Sequence, residues 1–193
     1  LKTKNLTNYY PKCINYTANT WRTITLEFSI STFWGRISLE NLFANLPHIK
    51  TVDLSRFTDE VKNMRNMFKN CKGLEYVNFG NFDTSHVEDM ESMFFGTNLQ
   101  FLDLSKFDTS KVTDLSQMFK DDQKLKSIKL PNDFVSSSVR SVYRLFSNCY
   151  SIESIDVSSF YTSNCEKMDY MFYGCHSLKS LGVSRFNTKN ALL

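Results

Sequence analysis

The chain has 193 residues, of which 41% are hydrophobic and 17 are phenylalanine, so it is long enough to bury a core as one domain or one repeat array. Its 23 basic and 20 acidic residues nearly balance, and they show no clustered basic face of the kind that nucleic-acid binding requires. No stretch of the sequence approaches the roughly 18 consecutive apolar residues of a membrane-spanning helix.

The first 35 residues match no later part of the chain. Within them, the stretch TITLEFSI alternates apolar and polar residues from Ile24 to Ile30. Strict alternation of this kind is typical of a half-buried strand. We predict that residues 1–35 form an N-terminal capping segment, either a strand or a hairpin, which covers the first repeat.

From residue 36 onward the chain repeats itself. A pair made of Leu or Met followed by Phe recurs at intervals of 25, 26, 25, 27 and 26 residues, at Leu42-Phe43, Met67-Phe68, Met93-Phe94, Met118-Phe119, Leu145-Phe146 and Met171-Phe172. Such regularity is the signature of units that stack and share one core. We therefore predict an array of about six units of 25–27 residues over 36–190, and we expect it to continue beyond this sequence.

The first half of each unit predicts a short strand. Apolar residues stand at alternate positions before a Ser and a Phe, as in LQFLDLSKF over 99–107. The residues expected to face inward are Val52/Leu54, Val77/Phe79, Leu102/Leu104, Ile128/Leu130, Ile155/Val157 and Leu181/Val183. Neighbouring strands would pair into a parallel sheet. The recurrent Phe after each strand would form an internal column of Phe57, Phe82, Phe107, Phe134, Phe160 and Phe186.

The second half of each unit predicts a short helix. The apolar residues between 87 and 94 lie three or four positions apart, as on one stripe of a helix, and the other units repeat this spacing. Thr84-Ser85 stands where a helix N-cap would be, and Glu88 follows Ser85 by three residues, as in a capping box. Asp89 would lie in the first turn, where the helix dipole favours negative charge.

The stretch LQFLDLSKFDTSKVTDLSQMF over 99–119 resembles the 26-residue repeat of BspA-like bacterial surface proteins, a branch of the leucine-rich repeats, and the DUF285-like repeat of Mycoplasma. The resemblance implies an α/β solenoid. This would be a right-handed superhelix with a parallel sheet on one face and short helices on the other. It also implies an extracellular or cell-surface protein, often of a host-associated microbe, with adhesion or protein binding as its role. The family offers no catalytic motif.

Three cysteines share one position in their units. They are Cys71, Cys149 and Cys175, and the sequence has no C-x-x-C pair of the kind found in zinc ribbons. Cys149 and Cys175 belong to adjacent units, so they could approach within disulfide range. We expect a stacked pair of free thiols, with a disulfide as the alternative.

The outward-facing strand residues are the best candidates for ligand contact, because the repeat does not dictate them. Tyr76 and Phe101 would be exposed aromatic side chains on neighbouring strands, which is typical of interface anchors. The alternative is that they only stabilise the sheet by cross-strand packing. The candidate strand face comprises Asp53, Tyr76, Asn78, Phe101, Asp103, Lys129 and Asp156. Its stacked aspartates leave calcium binding as a weaker alternative.

A repeat places the same groups in rows, whereas catalysis needs different groups that converge on one point. We therefore expect no enzyme activity, no cofactor and no metal site. We expect instead an adhesive module that contacts a protein or glycan of a host or neighbouring cell through the strand face. The alternative is a structural stalk or spacer that presents another domain.

Overall fold

The computed structural model describes residues 23–25, 37–58 and 60–192. These contain seven short strands: β1 (Thr23–Thr25), β2 (Ile37–Ser38), β3 (Thr51–Asp53), β4 (Val61–Asn63), β5 (Tyr76–Asn78), β6 (Phe101–Asp103) and β7 (Ser127–Lys129). They form three parallel sheets, with the orders β1-β3-β5, β2-β4 and β6-β7. The described residues include no helix that could cross a membrane.

Equivalent positions of successive units lie side by side in two parallel ladders. In the strand ladder, β3 pairs with β5 so that Val52 lies opposite Val77, 25 residues later. The second ladder begins with β2 and β4 and continues as single bridges, at Asn63↔Asp89, Asp89↔Asp114, Asp114↔Ser141 and Ser141↔Lys167. The parallel sheet that the alternation predicts is therefore present as short strand pairs.

The capping prediction falls mostly outside the described residues, which in this region are limited to 23–25. Those three residues form β1, and β1 pairs in parallel with β3 from Thr23↔Thr51 to Thr25↔Asp53.

The helices predicted for the second half of each unit were wrong. The segments that follow the second ladder consist of consecutive turns, and together we call them the turn wall; it comprises residues 39–45, 64–70, 90–96, 115–121, 142–148 and 168–174. Their N–H groups alternate between two kinds of acceptor, a carbonyl of the next unit and a carbonyl of the same segment. The Asn66 and Phe68 N–H groups donate to the Glu91 and Met93 carbonyls of the next unit, both within 2.9 Å. The Met67 N–H donates instead to Met64 O, three residues back, at 3.1 Å.

Two physical features exclude a helix at these positions. A helix bonds its amides within itself, whereas every second amide here bonds to another unit. Each segment also holds residues with positive φ, such as Asn66 at 55° and Asn70 at 59°. That left-handed backbone cannot belong to a right-handed helix but suits the third position of a type II turn. Apolar residues three apart fit successive turns as well as they fit a helix.

The residues predicted to cap a helix connect units instead. The Thr84 hydroxyl donates to Asp108 O at 3.0 Å and accepts from the Asp108 N–H at 2.8 Å. The Ser85 N–H donates to Asp83 Oδ1 at 2.9 Å, and the Glu88 N–H donates to Lys62 O at 2.9 Å. The predicted N-cap and capping box are therefore not formed.

The core contains a column of stacked phenylalanine rings from the recurrent pairs. Consecutive rings of Phe43, Phe68, Phe94, Phe119, Phe146 and Phe172 have centroids 5.2–5.9 Å apart, with interplanar angles of 4–15°. The predicted internal column is also confirmed, because Phe57, Phe82, Phe107, Phe134 and Phe160 are buried and Phe186 is partly buried.

The predicted inward direction of the strand residues is confirmed for most units. Val52, Leu54, Leu102 and Leu104 are buried, whereas Val183 is 43% exposed. No strand is assigned at 155–157 or 181–183, where the alternation also predicts one. The alternation of apolar and polar residues indicates which side chains are buried. Strand pairing also requires a matched backbone spacing between units.

The cysteines at the shared position are free thiols, so the alternative disulfide is not formed. The Cys149 thiol donates to Phe119 O at 3.0 Å, and the Cys175 thiol donates to Phe146 O at 3.1 Å. Each sulfur is thus directed to a backbone carbonyl. Burial raises the pKa of the Cys175 thiol to about 11 and that of Cys149 well above its usual value. Both thiols are therefore protonated and unreactive at neutral pH.

Two units lie between those of Cys71 and Cys149, and they have Thr97 and Asp122 at the position of the cysteine. The Thr97 hydroxyl donates to Asp122 Oδ2 at 2.7 Å, and Oδ1 is buried without a hydrogen-bond partner. Burial raises the pKa of the Asp122 carboxyl to about 8. This side chain is therefore predominantly neutral at pH 7.

Candidate functional site

The strand ladder is interrupted between β5 and β6. The Leu54 N–H donates to Asn78 O at 2.7 Å, and the Leu104 N–H donates to Lys129 O at 2.8 Å, so each bond joins one unit to the next. Phe79 occupies the equivalent position between them, and its N–H makes no such bond with the described residues. β5 therefore pairs with β3, and β6 with β7, but β5 and β6 do not pair with each other.

The opposite wall of the break also has an unpaired donor. The Tyr76 N–H donates to Lys50 O at 3.2 Å, and the Ser127 N–H donates to Gln100 O at 3.4 Å. The equivalent N–H of Phe101 has no bond of this kind within the described ranges. Backbone groups of both strands are thus left free at the break.

Two local departures from the repeat explain the break. Nine positions separate Phe68 from Val77, but only eight separate Phe94 from Leu102, so β6 is reached by a shorter connection. In addition, Phe79 stands where Leu54 and its other equivalents have smaller side chains. Its ring packs edge-on against Phe107, with centroids 4.8 Å apart. A shorter connection and a larger side chain together hold the two strands out of pairing distance.

The same two units remain joined in the turn wall. The Phe68 N–H donates to Met93 O at 2.8 Å, and the Asn70 N–H donates to Phe95 O at 2.7 Å. Because one side is bonded and the other is open, the break forms a cleft rather than a separation of the units.

The cleft is a cavity of about 230 Å³ with an aromatic mouth. Tyr76 on β5 and Phe101 on β6 line it, and their side chains are 58% and 48% exposed. Phe79, Leu102 and Phe107 supply apolar lining. This arrangement offers flat aromatic surface to a partner next to free backbone hydrogen-bonding groups.

A charged cluster lies beside the aromatic mouth. Asp103 accepts hydrogen bonds from the Ser105 hydroxyl at 2.6 Å and the Ser105 N–H at 3.0 Å, and the Lys129 ammonium lies 3.4 Å from its other oxygen. These contacts, the Ser105 hydroxyl first, lower the pKa of Asp103, so it is ionised at neutral pH. Lys129 Nζ also lies 5.7 Å from the centre of the Phe101 ring. Lys129 therefore lies over one face of the Phe101 ring and beside the Asp103 carboxylate.

Comparison with protein-family models gives a match over most of the repeats. A family described as a Mycoplasma protein of unknown function, DUF285, matches residues 37–129 and 97–192. The chain belongs to the DUF285 family. Comparison with the curated proteins and with the solved structures finds no match. The match over 37–129 includes both walls of the cleft.

The cleft brings together part of the strand face that was predicted from the sequence. Tyr76, Asn78, Phe101 and Asp103 line it, and Lys129 contacts two of them. Asp53 lies one unit away and accepts a hydrogen bond from the Asn78 side chain at 3.2 Å.

Asp156 is exposed and shows no contact with the cleft residues; the Ser158 N–H donates to it at 2.9 Å. The recurrent aspartates of the DUF285 units thus mainly bond the serine two residues later. The pKa of Asp53 is lowered chiefly by the N–H of Ser55, and that of Asp156 by Ser158. Within the described ranges, no group of three or more His, Cys, Asp or Glu residues is placed to hold a metal ion.

Eight other residues that line the cleft were not predicted as site residues: Val77, Phe79, Gly80, Phe82, Leu102, Ser105, Lys106 and Phe107. Gly80 has a φ of 55°, and a Cβ atom there would lie 2.6 Å from Ser55 Cβ, so the turn after β5 requires glycine. The signal that could have located the cleft is the shortened interval between Phe94 and Leu102.

Proposed function

We propose that the chain is a non-enzymatic interaction module, at the cell surface or secreted, that binds a protein or glycan of a host or neighbouring cell through the strand face. The observation that carries this proposal is the cleft between β5 and β6. There, Tyr76 and Phe101 are exposed side by side although neither packs in the core. Exposed aromatic side chains beside polar groups provide a large contact area at a low entropic cost, as in binding anchors.

The finer architecture belongs to the same proposal. We infer that the units continue into a right-handed solenoid of the leucine-rich-repeat class, with its strand ladder on one face. Parallel ladders that join positions 25–27 residues apart support this inference. In place of helices, the other face would be built from the turns of the turn wall. A stack of this kind presents an extended rigid surface, which suits a large partner.

The chemistry of the cleft supports binding rather than turnover. Asp103, the carboxylate among the lining residues, is engaged by Ser105 and Lys129. Its lowered pKa makes it a weak base, whereas a general base works best with a pKa near the working pH. A binding role needs only its fixed charge and position.

The experiment uses arrays of host-cell surface proteins and of glycans to find a partner of the purified chain, followed by affinity measurements with variants. Tyr76→Ser and Phe101→Ser are suited to the fold because Ser127 stands in the same column. Each should weaken binding by about tenfold or more, as loss of an interface anchor does. Tyr161→Ser, at a side chain that is 48% exposed and outside the cleft, is the matched control. Unchanged affinity in both cleft variants would show that the strand face is not the binding surface.

A stalk is the second candidate function, and the turn wall favours it. Inter-unit hydrogen bonds run through the wall without interruption from Asn41 to Tyr173, and the phenylalanine column follows the same units. A continuous core of this kind resists bending and could hold another domain away from a surface. If a longer natural protein binds a partner that this chain does not bind, the stalk is the better description.

A further inference from the structure

The turn wall carries a cluster of aromatic and cationic side chains in the last two described units. The Arg144 guanidinium lies 5.1 Å from the Tyr143 ring and 5.0 Å from the Tyr170 ring. Tyr173 packs edge-on against Tyr170, with centroids 5.9 Å apart. Tyr170 and Tyr173 are 55% and 63% exposed. We call these four residues the Tyr/Arg patch.

The composition of the patch differs from that of the same wall in earlier units. The position of Arg144 and Tyr170 is held by small or polar residues elsewhere, namely Asn41, Asn66, Ser92 and Gln117. All six positions have a positive φ between 54° and 58°. The turn therefore requires the same backbone conformation in every unit. Only the last two units have large side chains at this position.

Large side chains are poorly suited to that backbone. The left-handed region is tolerated best by Gly, Asn and Asp, while bulky residues there are uncommon and strained. Arg144 at 54° and Tyr170 at 56° thus carry a cost that asparagine would reduce. Strain of this kind, at the exposed Tyr170 and the partly buried Arg144, points to a role other than folding.

The charge of Arg144 is only partly compensated within the fold, because the nearby Asp121 carboxylate attracts it without forming a salt bridge. Its side chain forms no hydrogen bond or salt bridge with the described residues, and its Nε atom is buried without a partner. The neighbouring Asp121 is already bonded to Lys120 and Asn148, both at 2.7 Å. Asp169, which takes the place of Tyr143 in the next unit, is exposed and makes no salt bridge with Arg144. The terminal nitrogens of the guanidinium are thus available to an external acceptor.

We propose that the Tyr/Arg patch is a second docking surface, which binds an acidic segment of a partner protein. A guanidinium backed by aromatic rings is oriented to donate two parallel hydrogen bonds to a carboxylate. Exposed tyrosines beside arginine match the composition of protein–protein hot spots. This surface lies on the turn wall, so the proposal does not depend on the cleft between β5 and β6.

The test measures binding of a fluorescein-labelled peptide of alternating glutamate and leucine by fluorescence anisotropy. Its lysine–leucine counterpart and heparin serve as the comparison ligands. Arg144→Gln removes the charge but suits the backbone, because Gln117 holds the same position at a φ of 58°. It should weaken binding of the glutamate peptide by about tenfold or more. Lys69→Gln, which removes a turn-wall cation outside the patch, should change the affinity less than about twofold.

Tyr170→Asn separates binding from folding. Asparagine relieves the strained backbone, so the variant should melt about 2–4 °C higher than the natural chain while it loses affinity for the glutamate peptide. That combination cannot arise from unfolding. The proposal is overturned if the natural chain does not prefer the glutamate peptide, if it binds heparin alone, or if Arg144→Gln and Lys69→Gln weaken binding equally.

Discussion

Asp122 shows how a single residue can depart from the repeat at a cost to stability. It occupies a slot that suits a small thiol or hydroxyl, as Cys71 and Thr97 demonstrate, and one of its oxygens has no partner there. A buried polar atom without a hydrogen bond costs roughly 1–3 kcal/mol. The raised pKa of its carboxyl follows from the same burial.

Replacing Asp122 should therefore stabilise the protein in a pH-dependent way. The pKa of this carboxyl is about 8 in the folded chain and lies near its usual 3.8 in the unfolded chain. Its proton is retained by the folded state over that interval, so the stability of the natural chain falls as the pH rises from about 4 to about 8. Asp122→Thr removes this dependence and should raise the free energy of unfolding by about 1–3 kcal/mol at pH 7.

Urea unfolding of Asp122→Thr and the natural chain, measured between pH 5 and pH 8, is the check for this prediction. The difference between them should widen with pH. Asp156→Asn, at an exposed carboxylate, is the control and should show no such widening. A constant difference across the range would mean that Asp122 is not a buried neutral acid.

At the scale of the single element, the strand half of each unit was more predictable than the turn half. Alternation around Val52, Val77 and Leu102 located β3, β5 and β6, because the side-chain period of a strand is unambiguous. The spacing from Val87 to Phe94 fitted a helix and a series of turns equally well. Hydrogen bonds to the next unit favour the turns over the helix. The sequence of a single unit gives no indication of those bonds.

The cleft was predictable only in part. Exposure of Tyr76 and Phe101 followed from their place in the alternation, and the structure confirms it. The broken pairing between their strands did not follow, because it depends on a backbone distance that one missing residue and one larger ring change together. The Tyr/Arg patch was missed because its residues lie in the second half of their units, for which the spacing predicts a helix.

The unpaired edges of β5 and β6 should be visible in amide hydrogen exchange. The Phe79 and Phe101 amides lack the inter-unit bonds that protect the equivalent amides of Leu104 and Ser127. A hydrogen bond contributes about 1 kcal/mol, so the unprotected amides should exchange about fivefold or more faster. Residue-resolved exchange by NMR measures this. Equal protection of Phe79 and Leu104 would show that the ladder is closed in solution.

Closure of the cleft by substitution tests its origin. In Phe79→Leu, the side chain becomes the one found at Leu54 and Leu104, so β6 can approach β5 more closely. Protection of the Phe101 amide should increase relative to the natural chain. If it does not, the shorter connection before Leu102 is sufficient to hold the strands apart.

At the scale of the whole molecule, the phenylalanine column joins the units into one core. The Phe119 ring contacts Phe94 of the preceding unit at 5.9 Å, and Phe146 and Phe134 of the following unit at 5.2 and 6.1 Å, so it packs against both neighbouring units. Truncation of such a buried ring leaves a cavity that rigid neighbours cannot fill. Phe119→Ala should lower the free energy of unfolding by about 3–5 kcal/mol.

Thermal unfolding of Phe119→Ala, followed by circular dichroism, tests whether the described units unfold together. A single transition at lower temperature is expected. Phe101→Ala is the matched control, because that ring is 48% exposed, and it should change stability by less than about 1 kcal/mol. Two separate transitions would show that the break at the cleft divides the array into independent folding units.

The hydrogen bonds of the turn wall also have an electrostatic consequence. Each inter-unit bond in the wall runs from an N–H of one unit to a carbonyl of the next, as from Asn66 to Glu91 and from Arg144 to Asp169. Peptide dipoles that point the same way add together, as they do along an α-helix, with the positive end where the N–H groups point. The turn wall is therefore polarised along the stack without any helix. Among the described residues, the N–H groups of these bonds point from the unit of Asn41 toward the unit of Tyr170, and that is the direction of the positive charge.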